Sequence, residues 1–200
     1  MSTNLFDQLI HLKVDVPEGR SGPWRVNRFS TDPNSIHMLR AKMQGRDISP
    51  GTYTRLLKDD EWQPMMSDTP AEVADHISFM YQAEGRVLVN GLGLGVVIKG
   101  LLLNPRVQAI DVVEINQDII NLVWPVYEKH KQVRLYPGNA FTIQWPPGAR
   151  WDCVWHDIWP EICTDNLPEI TRLKRKYARR CTWQAAWCED RLRYMKRRGW

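Results

Sequence analysis

The chain has 200 residues, of which 43% are hydrophobic and 25% are charged, and its formal net charge is +4. These proportions exclude a disordered or collagen-like chain. No apolar run approaches about 18 residues, which argues against a transmembrane helix. We expect one domain with a substantial core. The first residues lack a basic region followed by an apolar run, so the sequence predicts no signal peptide, a cytoplasmic location and no membrane partner.

Charge is distributed unevenly along the chain. Residues 171–200 carry 11 Lys and Arg against 2 acids, whereas residues 1–170 carry 16 against 21. A basic end on an acidic body indicates either an anionic partner or docking of that end onto its own body. Trp183 and Trp187 stand among these cations. Such interleaving is typical of nucleic-acid contacts through phosphates and stacking, although we favour a role for the aromatics in covering a sheet edge.

The cysteines and histidines show no metal-binding pattern. The four cysteines, at positions 153, 163, 181 and 188, form no C-x-x-C pair, and the five histidines supply no zinc spacing. Without a secretory signal, disulfides are not expected. The sequence therefore predicts free, mostly buried thiols and no metal.

Residues 1–68 predict a small β-containing extension. Glycines and prolines punctuate this region, and alternation over residues 24–29 predicts a short strand. Residues 36–43 fit one or two helical turns. Residues 52–66 predict a hairpin around the acidic turn at 58–61.

Helices and strands then alternate, which predicts an α/β core over residues 69–163. Thr69 can cap a helix, Pro70 suits its first position, and Glu72 completes a capping box. Strands buried on both faces are typical of a parallel sheet. The predicted strands are 87–89, 107–114, 133–136 and 152–157, and the predicted helices between them are 96–103 and 116–131.

Residues 164–200 predict a basic amphipathic helical tail. Apolar residues from Leu167 to Met195 follow steps of three or four, apart from one seven-residue gap, and most cations fall outside that stripe. No fifth strand is evident. We therefore expect the sheet to be truncated at its carboxy-terminal strands, which helices replace.

The most specific feature is a glycine loop, Gly91-x-Gly93-x-Gly95, between a buried strand and a helix. Glycine lets the backbone approach a ligand without a Cβ clash, and the helix that follows presents free N–H groups. Glu114 ends the next strand, where a carboxylate can accept hydrogen bonds from ribose hydroxyls. Val96 stands where the dinucleotide motif has its third glycine, so the ligand need not carry a pyrophosphate. A purely structural turn is the alternative.

Four segments in order resemble the motif series of class I S-adenosylmethionine-dependent methyltransferases. The closest likeness is to the spermidine synthase branch, which has similar V-E-I-D and G-D-A-F stretches. The segments are Val87–Gly95, Val112–Ile120, Gly138–Phe141 and Trp151–Asp157. The resemblance covers about residues 69–160. It implies a Rossmann-like methyltransferase core with S-adenosylmethionine, or its decarboxylated form, as cofactor.

The resemblance also implies roles for individual residues. The three glycines of the loop would pack against the methionine part of the cofactor. Glu114 would bind the ribose hydroxyls, and Asn139 and Ala140 would lie at the adenine. Asp157 would end the fourth strand at the mouth of the acceptor site.

Two positions depart from the family pattern, one two residues before the first glycine of the loop and one before its last glycine. Val89 and Leu94 stand where family members carry acids, so the loop supplies no carboxylate for the amino group of the cofactor. The candidates for that role outside the loop are Asp7, Asp68, Asp75 and Glu84.

Asp157 is the candidate catalytic residue, because methyl transfer needs positioning and, for a protonated acceptor, a base. The alternative is that Asp157 only caps the loop that follows. His156 points to the opposite face of the strand and is expected to be structural. Trp155 and Trp159, with Trp145 nearby, predict an aromatic wall for a flat or cationic substrate, or else core packing.

The predicted function is methyl transfer from S-adenosylmethionine to an unidentified small-molecule or macromolecular acceptor, so we favour an enzyme. Aminopropyl transfer is the second hypothesis. The third is a catalytically silent binding protein whose basic tail contacts nucleic acid. An open cofactor pocket favours an enzyme, whereas filling of the pocket by Leu92, Leu94 or a tryptophan favours the silent form. A homodimer through an uncovered sheet edge is a further hypothesis.

Overall fold

The computed structural model describes residues 4–31, 49–59 and 64–199. The helical turn expected over 36–43 lies outside these residues, as do positions 60 and 61 of the expected acidic turn. The amino-terminal elements are α1 (Leu5–Ile10), β1 (Gly19–Ser21), β2 (Trp24–Thr31), β3 (Gly51–Lys58) and β4 (Met66–Ser67). The elements that follow are α2 (Pro70–Gln82), β5 (Gly85–Asn90), α3 (Val96–Leu103), β6 (Val107–Glu114), α4 (Gln117–Tyr127), β7 (Val133–Pro137), β8 (Trp151–His156), α5 (Asn166–Tyr177), β9 (Cys181–Ala186) and α6 (Glu189–Arg197).

The first four strands form an antiparallel sheet in chain order. β2 pairs with β3 along its whole length. The pairing of β3 with the short β4 is the hairpin that the sequence predicts over residues 52–66. Trp24, Val26 and Leu56 of this sheet are buried in the same core cluster as Val87 and Val89 of β5. The amino-terminal sheet is therefore packed against the rest of the molecule.

The second sheet has five strands in the order β7-β6-β5-β8-β9, and every neighbouring pair is parallel. This confirms the predicted α/β class with a parallel sheet. The strand order is the Rossmann type, in which the chain winds outward from a central strand in one direction and then in the other. The reversal falls between β5 and β8, and ligands bind at such a switch point, outside the carboxyl ends of the strands.

Side chains of the parallel sheet alternate between two buried faces. Val87 and Val89 belong to the core cluster that includes residues of α2, α3 and α4, whereas Leu88 belongs to the cluster that includes residues of α5 and α6. Burial of both faces is the reason why these strands form continuous apolar runs in the sequence.

The prediction of helix throughout residues 164–200, with a sheet truncated after its fourth strand, is wrong at β9. This strand pairs in parallel with β8 and completes a fifth position of the sheet. It lies where the helical stripe of apolar residues is interrupted, between Cys181 and Cys188. Pairing satisfies backbone groups of β8 that would otherwise stay unpaired, and Trp183 stacks on Phe79 with ring centroids 5.3 Å apart. The flanking segments form α5 and α6 as helices, as predicted.

Three further features bear on function. The described segments contain no helix that is long and apolar enough to cross a membrane. Among the same residues, no group of three or more His, Cys, Asp or Glu side chains is arranged to hold a metal ion. All four cysteines are free thiols, as the sequence predicts.

Candidate functional site

A cleft of about 960 Å³ opens at the carboxyl ends of the parallel strands. Its volume lies within the range of about 300–1,000 Å³ that is usual for ligand sites. The loops that follow parallel strands all reach this edge of the sheet, so residues far apart in sequence meet there. The loop residues that line the cleft are Gly91 and Gly93 after β5, 114–116 after β6, 138–141 after β7 and 157–162 after β8.

Elements outside these loops form the remaining walls of the cleft. The amino-terminal sheet and α2 contribute Trp24, Pro64, Met65, Met66, Glu72 and His76, while α5 and the region of α6 contribute Glu169, Trp187 and Arg191. The sequence predicts none of these nine residues as cleft residues. Glu72 and His76 are spaced four apart on α2 and so share one helix face, which is the one local signal that links two of them.

Gly91 holds the ends of β5 and β8 together. Its φ is +107°, and a Cβ at this position would lie 1.9 Å from the carbonyl oxygen of Asp157. The backbone N–H of Asp157 in turn donates to the carbonyl of Asn90, at 2.8 Å. Only glycine fits this close approach of two chains, so Gly91 sets the position of Asp157.

The other two glycines of the loop contact protein side chains. A Cβ at Gly93 would lie 2.9 Å from the sulfur of Met66, and a Cβ at Gly95 would lie 2.4 Å from the ring of Tyr127. The Tyr127 hydroxyl donates to the carbonyl of Gly95 at 2.9 Å. Gly95 does not line the cleft, whereas Gly93 does, beside Met66. These glycines therefore allow close packing of the loop against its surroundings.

The leucines of the glycine loop do not fill the cleft. Leu92 and Leu94 are 3% and 0% exposed and belong to the apolar core under the loop. Neither is among the residues that line the cleft. These leucines therefore do not fill the pocket, and the three tryptophans that line it, Trp24, Trp159 and Trp187, leave about 960 Å³ open.

Glu114 anchors the glycine loop from the end of β6. One carboxylate oxygen accepts from the backbone N–H of Leu92 and the other from that of Asn116, each at 2.8 Å. A carboxylate offers about four lone-pair sites, so about two remain for the hydroxyls of a ligand. Beside it, Ile115 is 67% exposed and lines the cleft. The sequence did not single out Ile115, because an exposed apolar residue in a loop carries no pattern.

Asn139 and Ala140 lie in the loop after β7. The side-chain oxygen of Asn139 accepts from the backbone N–H of Phe141 at 2.8 Å, so the Asn139 amide group keeps its N–H donors for other partners. The carbonyl of Ala140 accepts from the ammonium of Lys176 at 2.9 Å and from the hydroxyl of Tyr177 at 3.3 Å. Residues of α5 thus fix the backbone of this loop.

Asp157 lies in the cleft with its side chain only 9% exposed. Its carboxylate is 3.8 Å from the Nδ1 atom of His76. Burial, with a contribution from the nearby carboxylates of Asp75 and Glu72, raises the pKa of Asp157 to about 7, against the opposing effect of the Trp155 indole. A group with such a pKa is half ionised at neutral pH, which is the range suited to a general base.

His156 is a structural residue, as the sequence predicts. It is fully buried, and burial lowers its pKa to about 4. The neutral ring accepts at Nδ1 from the amide of Asn90, at 2.9 Å, and donates from Nε2 to the side-chain oxygen of Gln184, at 3.1 Å. This tautomer follows from the partners, since the Asn90 side-chain oxygen accepts from Tyr177 and the Gln184 amide donates to the carbonyl of Lys174. The network joins β5, β8, β9 and α5 beneath the cleft.

The three tryptophans that the sequence predicts as an aromatic wall lie in different parts of the structure. Trp159 lines the cleft, and its indole N–H donates to the carboxylate of Glu169 at 2.8 Å. Trp155 lies outside the cleft lining and stacks on Phe79 with ring centroids 4.7 Å apart. Trp145 also lies outside it and donates from its indole N–H to the Tyr177 hydroxyl at 3.2 Å. The structure therefore brings one of the three tryptophans to the cleft.

Carboxylates predominate among the charged groups of the cleft. Five carboxylates and one guanidinium line it: Glu72, Glu114, Asp157, Glu161, Glu169 and Arg191. Of the four acids suggested as substitutes for the missing loop carboxylate, none lines the cleft, and Asp68 accepts instead from the backbone N–H groups of Val14 and Thr54. Glu72 is the acid that α2 supplies to the cleft. Because like charges repel and opposite charges attract, this lining favours a cationic ligand.

Comparisons with known proteins yield structural likeness only. No family model matches the chain, and no curated protein matches it. Among solved structures, PH1948 of Pyrococcus horikoshii, provisionally described as an RNA methyltransferase, is 15% identical with a TM-score of 0.45, over 66% of this chain and 65% of that one. The CcbJ methyltransferase of Streptomyces caelestis is 18% identical with a TM-score of 0.42, over 54% and 44% of the chains. CalS10, an amino pentose methyltransferase of Micromonospora echinaspora with SAM bound, is 21% identical with a TM-score of 0.36, over 54% and 42%. The matched region is less than two thirds of each of these structures.

Proposed function

We propose that the cleft binds S-adenosylmethionine and that the protein transfers the methyl group to an acceptor. The observation that carries this proposal is the open cleft at the switch point of the sheet, bordered by both Glu114 and Asp157. Leu92 and Leu94 are buried beneath the glycine loop and so leave this volume open to a ligand. Filling of the cleft by these side chains would instead have favoured a protein without a nucleoside ligand.

The residues of the cleft fit the parts of this cofactor. The remaining lone pairs of Glu114 suit the two ribose hydroxyls. Ile115 offers an exposed apolar surface beside it for a flat base, and the free amide donors of Asn139 suit a ring nitrogen. Glu72 is the carboxylate that we assign to the ammonium group of the cofactor. The acidic lining also suits the positive sulfonium.

When bound, the cofactor supplies an electrophilic methyl group on a positively charged sulfur. The chain then needs to position an acceptor and to remove its proton, since such a displacement is governed largely by alignment. Asp157 is the base in this proposal, because its pKa of about 7 lets it take up a proton at neutral pH. Trp159, held by Glu169, forms an apolar wall that excludes water beside that carboxylate.

Aminopropyl transfer from decarboxylated S-adenosylmethionine is the second candidate. The observation that favours it is the predominance of carboxylates in the cleft, because these would repel the carboxylate of intact S-adenosylmethionine. The two candidates differ in which form of the cofactor binds more tightly.

Calorimetric titration of the protein with S-adenosylmethionine, S-adenosylhomocysteine and decarboxylated S-adenosylmethionine tests the proposal. The site variant is Ile115→Glu, which places a charge on a side chain that is 67% exposed and so leaves folding intact. The matched control is Leu103→Glu, which makes the same kind of change on α3, outside the cleft.

We expect the first two compounds to bind the wild type and the Leu103→Glu variant but not Ile115→Glu. Tighter binding of the decarboxylated form would replace methyl transfer by aminopropyl transfer. Absence of binding, or equal binding to both variants, would overturn the assignment of the cleft and leave an interaction protein.

A further inference from the structure

We propose that the exposed face of α5 and α6, on the rim of the cleft, docks the phosphate backbone of a nucleic acid. The face is defined by six cations of the two helices and of the turn that follows α5: Arg172, Arg175, Arg179, Arg191, Lys196 and Arg197. All six are exposed, and none forms an ion pair with any residue that the structure describes. This inference rests on charge and position and does not depend on the identity of the cofactor.

Of the other five cations of the basic end, Arg198 lies over the ring of Tyr194 and four are bound to acceptors of the protein. Lys174 and Arg193 both pair with Glu189, which belongs to the same end of the chain. Lys176 and Arg180 donate to backbone carbonyls of residues 140–149. No ion pair links the basic end to an acid of the body within the described ranges. The end docks onto the body through the pairing of β9 with β8 and through these backbone carbonyls, so the exposed cations take no part in that docking.

A groove of about 480 Å³ runs between the two helices of the face. Leu167, Pro168 and Thr171 of α5 form one wall, and Arg193, Lys196 and Arg197 of α6 form the other. Arg193 is already bound to Glu189, whereas Lys196 and Arg197 line the groove without an ion pair among the described residues. A concave surface with such cations on one wall is suited to a phosphate group, because a guanidinium group binds its oxygens in a fixed geometry.

The face adjoins the mouth of the cleft. Arg191 belongs to the face and also lines the cleft, and Arg172 lies over the ring of Phe141, which lines the cleft as well. The cleft itself carries carboxylates. A polyanion would therefore be held outside by the helices and repelled from the interior, where only its uncharged bases can enter. If the proposed transfer reaction holds, this arrangement makes the nucleic acid the acceptor.

A nucleic acid fits this face better than an anionic membrane does. Binding of a helix to a lipid surface relies on apolar side chains that enter the bilayer beside the cations. Tyr194 is the one large hydrophobic residue of α5 and α6 that is exposed, and Arg198 covers its ring at 5.4 Å. Lys196 and Arg197 also lie in a groove, whereas a membrane presents a flat surface.

Fluorescence anisotropy with labelled 20-residue RNA and DNA of mixed sequence, single-stranded and duplex, tests this inference. With four to six phosphate contacts, the logarithm of the affinity for single strands should fall with the logarithm of salt concentration at a slope of about −3 to −4. The affinity would then decrease about 50- to 300-fold between 50 and 200 mM salt. The double variant Lys196→Gln and Arg197→Gln should make the slope shallower by about 1.4.

The matched control is Lys129→Gln with Lys131→Gln, an equal loss of charge at exposed positions between α4 and β7. We expect this control to bind as the wild type does, and S-adenosylhomocysteine to bind all three proteins equally. Failure of the oligonucleotides to bind, or equal weakening by both double variants, would overturn the inference. Binding to vesicles with about a quarter phosphatidylserine, without binding to oligonucleotides, would also overturn it in favour of a membrane. Nucleic-acid binding without S-adenosylhomocysteine binding would refute the proposed function and leave the docking face standing.

Discussion

Replacing Asp157 by Asn should stabilise the protein at alkaline pH while removing its proposed catalytic group. The carboxyl has an ordinary pKa of 3.8 and a folded-state pKa of about 7. Because the folded state holds this proton more tightly than the unfolded state, the contribution of Asp157 to stability is greatest below pH 3.8. It declines as the pH rises towards 7 and is constant above that value. Ionisation of Asp157 therefore lowers the free energy of unfolding at neutral pH.

The size of this cost follows from the two pKa values. The difference of about 3 units corresponds to about 4 kcal/mol, at about 1.4 kcal/mol for each unit. The loss should be below about 1 kcal/mol at pH 4, about 3 kcal/mol at pH 6 and about 4 kcal/mol at pH 8. The amide of the Asp157→Asn variant cannot ionise, so this decrease in stability with rising pH does not occur in the variant.

Urea unfolding of the wild type and the Asp157→Asn variant at pH 4, 6 and 8 measures this effect. We expect the stability of the variant relative to the wild type to rise by about 4 kcal/mol from pH 4 to pH 8. Titration of His156 and of surface groups cancels in the comparison, because both proteins share them. Asp190→Asn, at an exposed position, is the control for the loss of one carboxylate outside the cleft. A difference that does not change with pH would refute a perturbed carboxyl at position 157.

Three further predictions concern the framework of the cleft. Gly91→Ala should lower the free energy of unfolding in urea by more than about 3 kcal/mol, because its Cβ would meet a backbone oxygen at 1.9 Å. Gly148→Ala, at φ +79° with nothing within 4 Å, should cost only the left-handed strain of about 1–2 kcal/mol. Glu114→Gln should lower the free energy of unfolding by about 1–3 kcal/mol in the same assay without any cofactor, because the backbone N–H of either Leu92 or Asn116 loses its acceptor. The buried neutral imidazole of His156 should remove about 3 kcal/mol of stability between pH 6.5 and pH 4, which opposes the gain from protonation of Asp157 over the same range. The stability of His156→Gln relative to the wild type should therefore rise by about 3 kcal/mol from pH 6.5 to pH 4.

The parts of the cleft that the sequence predicts are those encoded locally. The glycine loop, Glu114 and Asp157 each follow a buried strand, and the carboxyl ends of parallel strands meet at one edge of the sheet. Their convergence therefore follows from the α/β pattern alone. Trp155 shows the limit of this inference. It lies within β8, where side chains are covered by helix α2, whereas Trp159 lies beyond the end of the strand and reaches the cleft.

The parts that the sequence did not predict depend on contacts between distant segments. The apolar residues at the two ends of β9 have the spacing that is typical of a helix. The segment nevertheless forms a strand, because it pairs with the edge of β8 that would otherwise stay unpaired. Glu169 and Arg191 line the cleft only because β9 brings α5 and α6 to the carboxyl end of β8. The acidic lining of the cleft could not be predicted for the same reason, because its carboxylates come from separate segments of the chain.

The position of β9 also explains how one small protein can present opposite charges to two ligands. Had residues 164–200 formed a continuous helix, its cations would have had no fixed relation to the cleft. With β9 in the sheet, α5 and α6, which precede and follow it in the chain, are both anchored in one core cluster through Leu173, Tyr177 and Leu192. Of the exposed cations, Arg191 then lines the cleft and Arg172 lies over the ring of Phe141 in its wall, beside the carboxylates of the lining. Under the two proposals, a cationic cofactor and a polyanionic acceptor are directed to different surfaces, because each is attracted to one and repelled by the other.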